Sequence, residues 1–547
     1  MPEDEDVRLW KAAPQPGCAS LRRAGIMDHG HVQALPGALD RRGQRQRVVV
    51  VALHRVERGN GGEPPQQRFL QHVASVDDDI YPGEKLVRLG GQVARTFRDV
   101  RICQNPNVHS LKDMSAEIGV GLLGLGTVGS AVAEVLVSRE AEITAEAGLP
   151  VRLRRVLVRD KGKRRAFHLE PDLLTTSAAD VLDDPSVNLV IEVMGGEEPA
   201  GSLIERAFRA GKHVVTANKE LVAKRGRALL QVARETNVDF HYEASVGGGI
   251  PLIGPFKQDL VANRISQVRA IINGTTNYML TRMAEEPVDY ADVLAEAQRL
   301  GYAEPDPTND VEGIDASYKL AILATLAFHV EVRPDQVYRE GVTRLTARDM
   351  QYARELGYVV KLLAIASDGG AGIEARVHPA LLEKHALLAR VDGVYNAVQV
   401  EGDLTGRVMF TGRGAGAMPT ASAVVADVID IAQDCQREFG VITPTIRFDD
   451  AKRVLSMDDV HTRYYVRLEV DDAPGVLAQI TRVLGDQAIS IASIIQREVN
   501  SAARSAEIVI VSHRAVERSM QAALAQLGVL AAVREVAAVI RIEEEEE

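Results

Sequence analysis

The sequence is poor in cysteine, tryptophan and aromatic residues, and it lacks any long apolar run. Only Cys18, Cys103 and Cys435 occur among 547 residues. That is too few for a disulfide framework, so the chain suits a reducing cytoplasm. The longest apolar stretches, such as 48–53, fall far short of the roughly 20 residues a membrane span needs. The opening Met-Pro-Glu-Asp-Glu-Asp has neither the basic start nor the apolar core of a secretory signal. A formal charge of −12 excludes the basic footprint that non-specific nucleic-acid binding requires. Internal repeats are absent. What these absences leave is a soluble multidomain chain, at roughly 150 residues per domain long enough for three or four.

The pieces are unlike one another. Residues 1–113 hold 17 Lys+Arg against 14 Asp+Glu, a net of +3, so the remainder carries −15. This segment is dense in turn-formers (Gly59-Asn60-Gly61-Gly62, Pro64-Pro65) and offers one isolated strand-like run. It reads as a disordered or loosely ordered extension without a core of its own, or as lying upstream of a true start at Met114, with an added domain as the alternative. From Ile118 onward, apolar strands at 118–123, 151–158, 189–193 and 213–216 alternate with helix-length segments. That alternation predicts parallel βαβ units and a doubly wound sheet over 114–245, completed by a helix returning near 418–440. Residues 246–417 mix strands with long helical patterns and read as an α+β domain. Residues 459–547 run strand, helix, strand, strand, helix, strand, the ferredoxin-like βαββαβ order, and the closing run 543–547 reads as a solvated acidic tail.

Gly124-Leu125-Gly126-Thr127-Val128-Gly129 is a G-x-G-x-x-G stretch between strand and helix. The first glycine permits the tight turn, the second lets backbone approach a pyrophosphate, and the third lets helix pack on strand. The helix N-terminus then offers amides and a positive dipole end to phosphate. The second strand ends in Arg159-Asp160, followed by Lys161, Lys163, Arg164 and Arg165. A carboxylate there suits the ribose hydroxyl of NAD, and an arginine suits the 2′-phosphate of NADP. The basic cluster favours NADP through Arg159, with NAD left open by Asp160. Val193-Met-Gly-Gly196 follows a strand of the same half and is expected beside the nicotinamide end.

Farther on, a loop rich in Pro, Asp and Gly runs from Gly301 through Glu304, Asp306 and Asp310 into a helix carrying Asp315 and Lys319. At i,i+4 these two side chains share one face. An isolated pair of this kind is ordinarily a surface ion pair. Three acids just ahead of it point instead to a cleft for a substrate ammonium, beside an acid able to protonate an alkoxide.

This stretch resembles the signature of homoserine dehydrogenase. So do, in the family's order, Gly124–Gly129, Thr216-Ala-Asn-Lys219-Glu, Tyr242-Glu-Ala-Ser-Val-Gly-Gly-Gly-Ile-Pro251, Asn273-Gly-Thr-Thr-Asn277 and Gly414-Ala-Gly-Ala-Met-Pro-Thr-Ala421. The likeness spans about Met114 to Leu455, and the terminal unit resembles an ACT domain. It implies NAD(P)-dependent interconversion of L-homoserine and L-aspartate 4-semialdehyde, on the route to threonine and methionine. Lys319 would be the proton donor and Lys219 a second lysine beside nicotinamide and substrate. Glu304, Asp310, Asp315 and Gly301 would line the substrate site, and Gly416 would lie near the cofactor. Two lysines in one closed site should depress each other's pKa.

The resemblance further implies a sodium ion held by Glu243 and the carbonyls of Val246, Gly248 and Ile250; oxygen ligands suit such a hard cation. It implies a homodimer or homotetramer, with threonine acting through the ACT unit. That unit's loop Asp471-Asp-Ala-Pro-Gly475 could cradle an amino acid or simply be a turn. A second copy is expected to cover its sheet edges. Cutting the chain near Asp458 should leave an active enzyme deaf to threonine. Two rivals fare worse. An aspartate-semialdehyde dehydrogenase type of enzyme needs a thiol nucleophile, and the body offers only Cys435, far from these motifs. A non-catalytic amino-acid sensor has no use for Lys219, Glu304, Asp315 and Lys319 together.

Overall fold

Short apolar strands feeding amphipathic helices need a partner on both faces, and in the computed structural model they find it in a parallel sheet. The structure describes residues 117–165, 167–436, 446–500 and 504–544, plus four two-residue strands before them. Those four pair as Ala19–Ser20 with Arg101–Ile102 and Val50–Val51 with Val73–Ala74. The chain divides into two units, Met1–Met114 and Ser115–Glu547. The expectation that residues 1–113 form a coreless extension otherwise falls outside the described residues.

Within the second unit, strands β1 (Ile118–Leu123), β2 (Val151–Leu157), β3 (Leu174–Thr175), β4 (Leu189–Glu192), β5 (His213–Thr216) and β6 (Phe240–His241) form one sheet. Its order is β3-β2-β1-β4-β5-β6, parallel throughout. Strands β1 and β4 are buried along their whole length, as strands covered on both faces must be. Helix α1 (Thr127–Ser138) packs with a helix from the far end of the domain, Ala417–Gln436. Residues 437–440 of the expected 418–440 helix lie outside the described residues. No helix among the described residues is long and apolar enough to cross a membrane.

The second domain is built on β7 (Ile265–Ile271), β8 (Tyr358–Asp368), β9 (Ile373–Glu383), β10 (Tyr395–Gly402) and β11 (Gly406–Arg413). Helix α2 (Lys219–Glu235) packs against α4 (Ile314–Phe328), which also meets β7, β8 and β9. Helix α4 is Ala-, Leu- and Ile-rich and buried at twelve of its fifteen positions. A helix apolar all round belongs inside a domain. The charged Asp315 and Lys319 near its start are therefore core residues, not surface ones.

The terminal module runs β12 (His461–Asp471), α5 (Val476–Asp486), β13 (Ile491–Asn500), β14 (Ser505–Ser512), α6 (Glu517–Leu527) and β15 (Val533–Glu543). Its core (Tyr464, Leu468, Ile480, Met520, Leu527 and neighbours) is its own. It is not detached, however. β15 pairs in parallel with β9 (Ala380 with Arg541, Leu382 with Glu543), so the two domains share one sheet. Two buried arginines reach across the join. Arg467 Nε donates to Asp349 Oδ1 at 2.8 Å, and Arg541 Nη1 donates to Glu340 Oε2 at 2.7 Å. Two expectations need correction. The β15 edge is covered by the chain's own catalytic body, because a strand end with free amides and carbonyls pairs with the nearest complement. The acidic tail starts inside the sheet: Glu543 is buried against Arg376 and Glu544 pairs with Arg463.

Candidate active site

Three loops meet at the C-terminal ends of β1, β4 and β5, on either side of the point where strand order reverses. Ligands of open α/β sheets bind in that crevice. Gly124 turns there with φ +103°, and a Cβ on Gly129 would collide with the Gly124 carbonyl. Space above Gly126 is open, and no side chain caps α1. First-turn amides of Thr127, Val128 and Gly129 thus have no intrahelical partner, which fits the pyrophosphate of a dinucleotide. Leu125 completes the turn. Arg159 lies exposed beyond β2. Asp160 is engaged locally, its Oδ1 accepting from Gly162 N at 2.8 Å.

Residues not singled out from the sequence organise this crevice. Glu192, fully buried at the end of β4, accepts hydrogen bonds from Met194 N (2.7 Å), Gly195 N (3.2 Å) and Thr216 Oγ1 (2.6 Å). Burial pushes its carboxyl above the ordinary range. Asn218 donates to the Gly196 carbonyl (2.6 Å) and caps α2 through Leu221 N (3.1 Å). The glycine pair expected beside nicotinamide is therefore tied to the helix whose first residue is Lys219. Only the Asn cap had a readable signal, a good capping residue ahead of an apolar-periodic run.

From the other domain, α4 presents Asp315 and Lys319. Asp315 lies between the two lysines: Oδ1 pairs with Lys219 Nζ at 2.9 Å and Oδ2 with Lys319 Nζ at 2.6 Å. Lys319 also donates to the Ile272 carbonyl at 2.8 Å. Burial would raise the Asp315 carboxyl, but Lys319 and Lys219 outweigh it and hold it well below the carboxylate range. The expected mutual depression of the lysines is corrected for Lys219. Asp315 raises its pKa, because an opposite charge at contact outweighs burial.

Asp310, in the one-turn helix Thr308–Val311 before α4, is held by Asn273 Nδ2 at 2.7 Å. Burial first, then Asp315, raises its pKa. Glu304 and Gly301 sit on the exposed loop before it, Gly301 with φ +77°. Glu304 lies near enough to Lys219 to contribute to the raised pKa there.

Glu243 behaves as a cap. Its carboxylate accepts from Leu252 N (2.5 Å), Ile253 N (2.9 Å) and Gly254 N (2.7 Å). The Val246–Ile250 turn beside it runs through Gly247 and Gly248 at φ +75° and +56°, and a Cβ on Gly248 would stand 2.6 Å from the Gly414 carbonyl. That close approach seats the turn on the loop carrying Gly416, which has φ +126°. Nearby, His241, Asp427 and Asp430 cluster, but Asp427 is already bonded to Glu243 N at 2.9 Å and lies 3.6 Å from His241.

Comparison with known proteins follows the same division. Residues 124–243 match the homoserine dehydrogenase NAD binding domain, 251–429 homoserine dehydrogenase, and 464–532 the ACT domain. A homoserine dehydrogenase of Neisseria gonorrhoeae is 42% identical over 436 residues, covering 78% of this chain and 98% of that protein. One from Synechocystis is 44% identical, covering 78% and 99%. The crystal structure of a homoserine dehydrogenase from Thiobacillus denitrificans superposes with a TM-score of 0.72 at 44% identity, over 78% and 98% of the two chains. Because such relatives are covered nearly end to end, by 78% of this chain, the chain belongs to the homoserine dehydrogenase family of oxidoreductases, with a Rossmann NAD-binding domain and a C-terminal ACT domain.

Proposed function

We propose that the chain interconverts L-homoserine and L-aspartate 4-semialdehyde with Lys319 as the proton donor, NADP as the preferred coenzyme and threonine as the effector. The observation that carries this reading is the Lys219–Asp315–Lys319 arrangement, in which Asp315 and Lys319 are buried and the partly exposed Lys219 closes on Asp315 from the cleft side. A lysine ammonium has three hydrogens. Two of those on Lys319 are committed, to Ile272 and Asp315, leaving one to aim at the substrate oxygen. In the reducing direction that proton passes to the nascent alkoxide, and in the oxidising direction it returns from the hydroxyl to the amine. Lys219 polarises the same oxygen from the opposite side of Asp315, while Glu304 and Asp310 receive the substrate ammonium, with Gly301 shaping their loop. A nicotinamide coenzyme, when bound, would supply or accept the hydride. Gly124–Gly129, Gly416 and Arg159 would hold the coenzyme, with the Arg159 guanidinium suited to a 2′-phosphate.

Sodium at the 243–250 loop belongs to the same reading. Three amides already occupy the Glu243 carboxylate, so carbonyls of Val246, Gly248 and Ile250 would supply most of the ligation. A rise in Tm with sodium chloride over choline chloride at equal ionic strength supports the ion; equal values remove it. Regulation by threonine, in a homodimer or homotetramer, enters through the shared sheet that joins the ACT unit to the catalytic body. The test of the mechanism is Asp315→Asn. Semialdehyde reduction should fall by about 10²–10⁴-fold with the KM for NADPH held. Retained turnover would refute it.

A further inference from the structure

Between the two acids of the site lies a side chain to which the mechanism assigns no task. Asn273 lies two residues past the end of β7 and caps α3 (Gly274–Glu285), its Oδ1 accepting from Thr276 N at 2.9 Å and from Thr276 Oγ1 at 2.9 Å. Because the Thr276 amide can only donate, the orientation of the carboxamide is fixed, and the amino group faces the other way. Its two hydrogens go to two different carboxylates: Asp310 Oδ1 at 2.7 Å and Asp315 Oδ2 at 3.0 Å. Asn273 is itself buried, 5% exposed. All four of its hydrogen-bonding positions (two donors, two acceptor lone pairs) are thus used.

We infer that Asn273 is a positioning residue, clamping Asp310 and Asp315 side by side so that one can serve the substrate ammonium while the other serves the lysines. The inference rests on the proposed roles of those two acids. Two neighbouring carboxylates repel, and a shared neutral donor opposes this directly. A lysine in its place would also bind both acids, but it would compete with the substrate ammonium. A carboxamide donates to both without adding charge. The groups that face Asp310 electrostatically are Asp315 and Lys319, with Lys219 across the site and Thr275 as a further hydrogen-bond donor. Of these the Asn273 bond does most to favour the charged carboxylate. Its loss should therefore make Asp310 protonate at higher pH.

Three full-length variants test this. Asn273→Ser keeps a capping oxygen for α3 and loses both donors to the acids; Asn273→Ala loses cap and donors; Asp310→Asn removes one acid. The clamp predicts that Asn273→Ser raises the KM for L-homoserine by about 10- to 100-fold, the scale of one or two charge-assisted hydrogen bonds. The KM for NADP should stay within about twofold, and the acid limb of the kcat/KM profile for homoserine should move to higher pH. Asn273→Ala should share these changes and lose thermal stability as well. If Asn273→Ser has the wild-type homoserine KM and acid limb while Asp310→Asn is impaired, the clamp is wrong and the acid's role stands. If Asp310→Asn itself leaves the homoserine KM unchanged, the substrate role of Asp310 falls and the clamp falls with it.

Discussion

Replacing Lys319 probes proton delivery most sharply, provided the replacement separates charge from chemistry. Lys319→Ala removes the ammonium that Asp315 Oδ2 meets at 2.6 Å and the donor to the buried Ile272 carbonyl. An unsatisfied buried acceptor costs about 1–3 kcal/mol, and a buried carboxylate stripped of a partner moves toward about 3–5 kcal/mol. The alanine variant therefore confounds fold with mechanism. Lys319→Arg keeps the positive charge for Asp315 but cannot surrender a proton, since guanidinium stays protonated in proteins. Lys319→Met serves as the uncharged control. Loss of a positioned acid costs about 10²–10⁴ in rate, or roughly 2.7–5.4 kcal/mol of barrier. The assay is steady-state oxidation of reduced coenzyme with the semialdehyde, alongside thermal unfolding and coenzyme titration. The arginine variant should bind coenzyme and unfold close to the wild-type temperature, yet lose turnover on that scale. Turnover within tenfold of wild type would refute the assignment.

Other outcomes follow from single contacts. Arg159→Ala should raise the KM for NADP far more than that for NAD; an equal change in both would show that the side chain does not read the phosphate. Arg467→Ala should cost about 3–5 kcal/mol in chemical unfolding, because it leaves the fully buried Asp349 to its Thr346 contacts and a longer one from Tyr465. A loss below about 1 kcal/mol would mean that the join between the domains is not electrostatic. Removing residues from Asp458 onward should abolish any threonine response and also lower the Tm of the catalytic body, since it bares the β9 edge and takes one charged partner each from Asp349, Glu340 and Arg376. An unchanged Tm would restore the picture of a detachable module.

Elements with local signals were legible. The glycine spacing at 124–129, the alternation of apolar strands, and the βαββαβ order all depend on residues near one another in sequence, and they appear in the expected order along the chain. Asp315 and Lys319 could be placed on one helix face by spacing alone. Their burial could be read only from the apolar run around them, and the consequence, a carboxylate lodged between two lysines, needs Lys219, 96 residues earlier in the chain. Asn273 shows as a helix cap before Gly-Thr-Thr, but its donors reach acids 37 and 42 residues away. Glu192 reads as just the last residue of an apolar strand. The docking of β15 on β9 joins positions about 160 residues apart, and two strand edges carry no label in sequence saying which will meet.

The central claim is decided by following NADP⁺ reduction by the purified full-length chain with L-homoserine as the only oxidisable substrate. The account predicts NADPH formation that saturates with L-homoserine, runs less efficiently with NAD⁺, and disappears in Lys319→Arg. A folded chain that binds NADP but yields no NADPH from L-homoserine, or one in which Lys319→Arg reduces NADP⁺ as fast as the wild type, would contradict it.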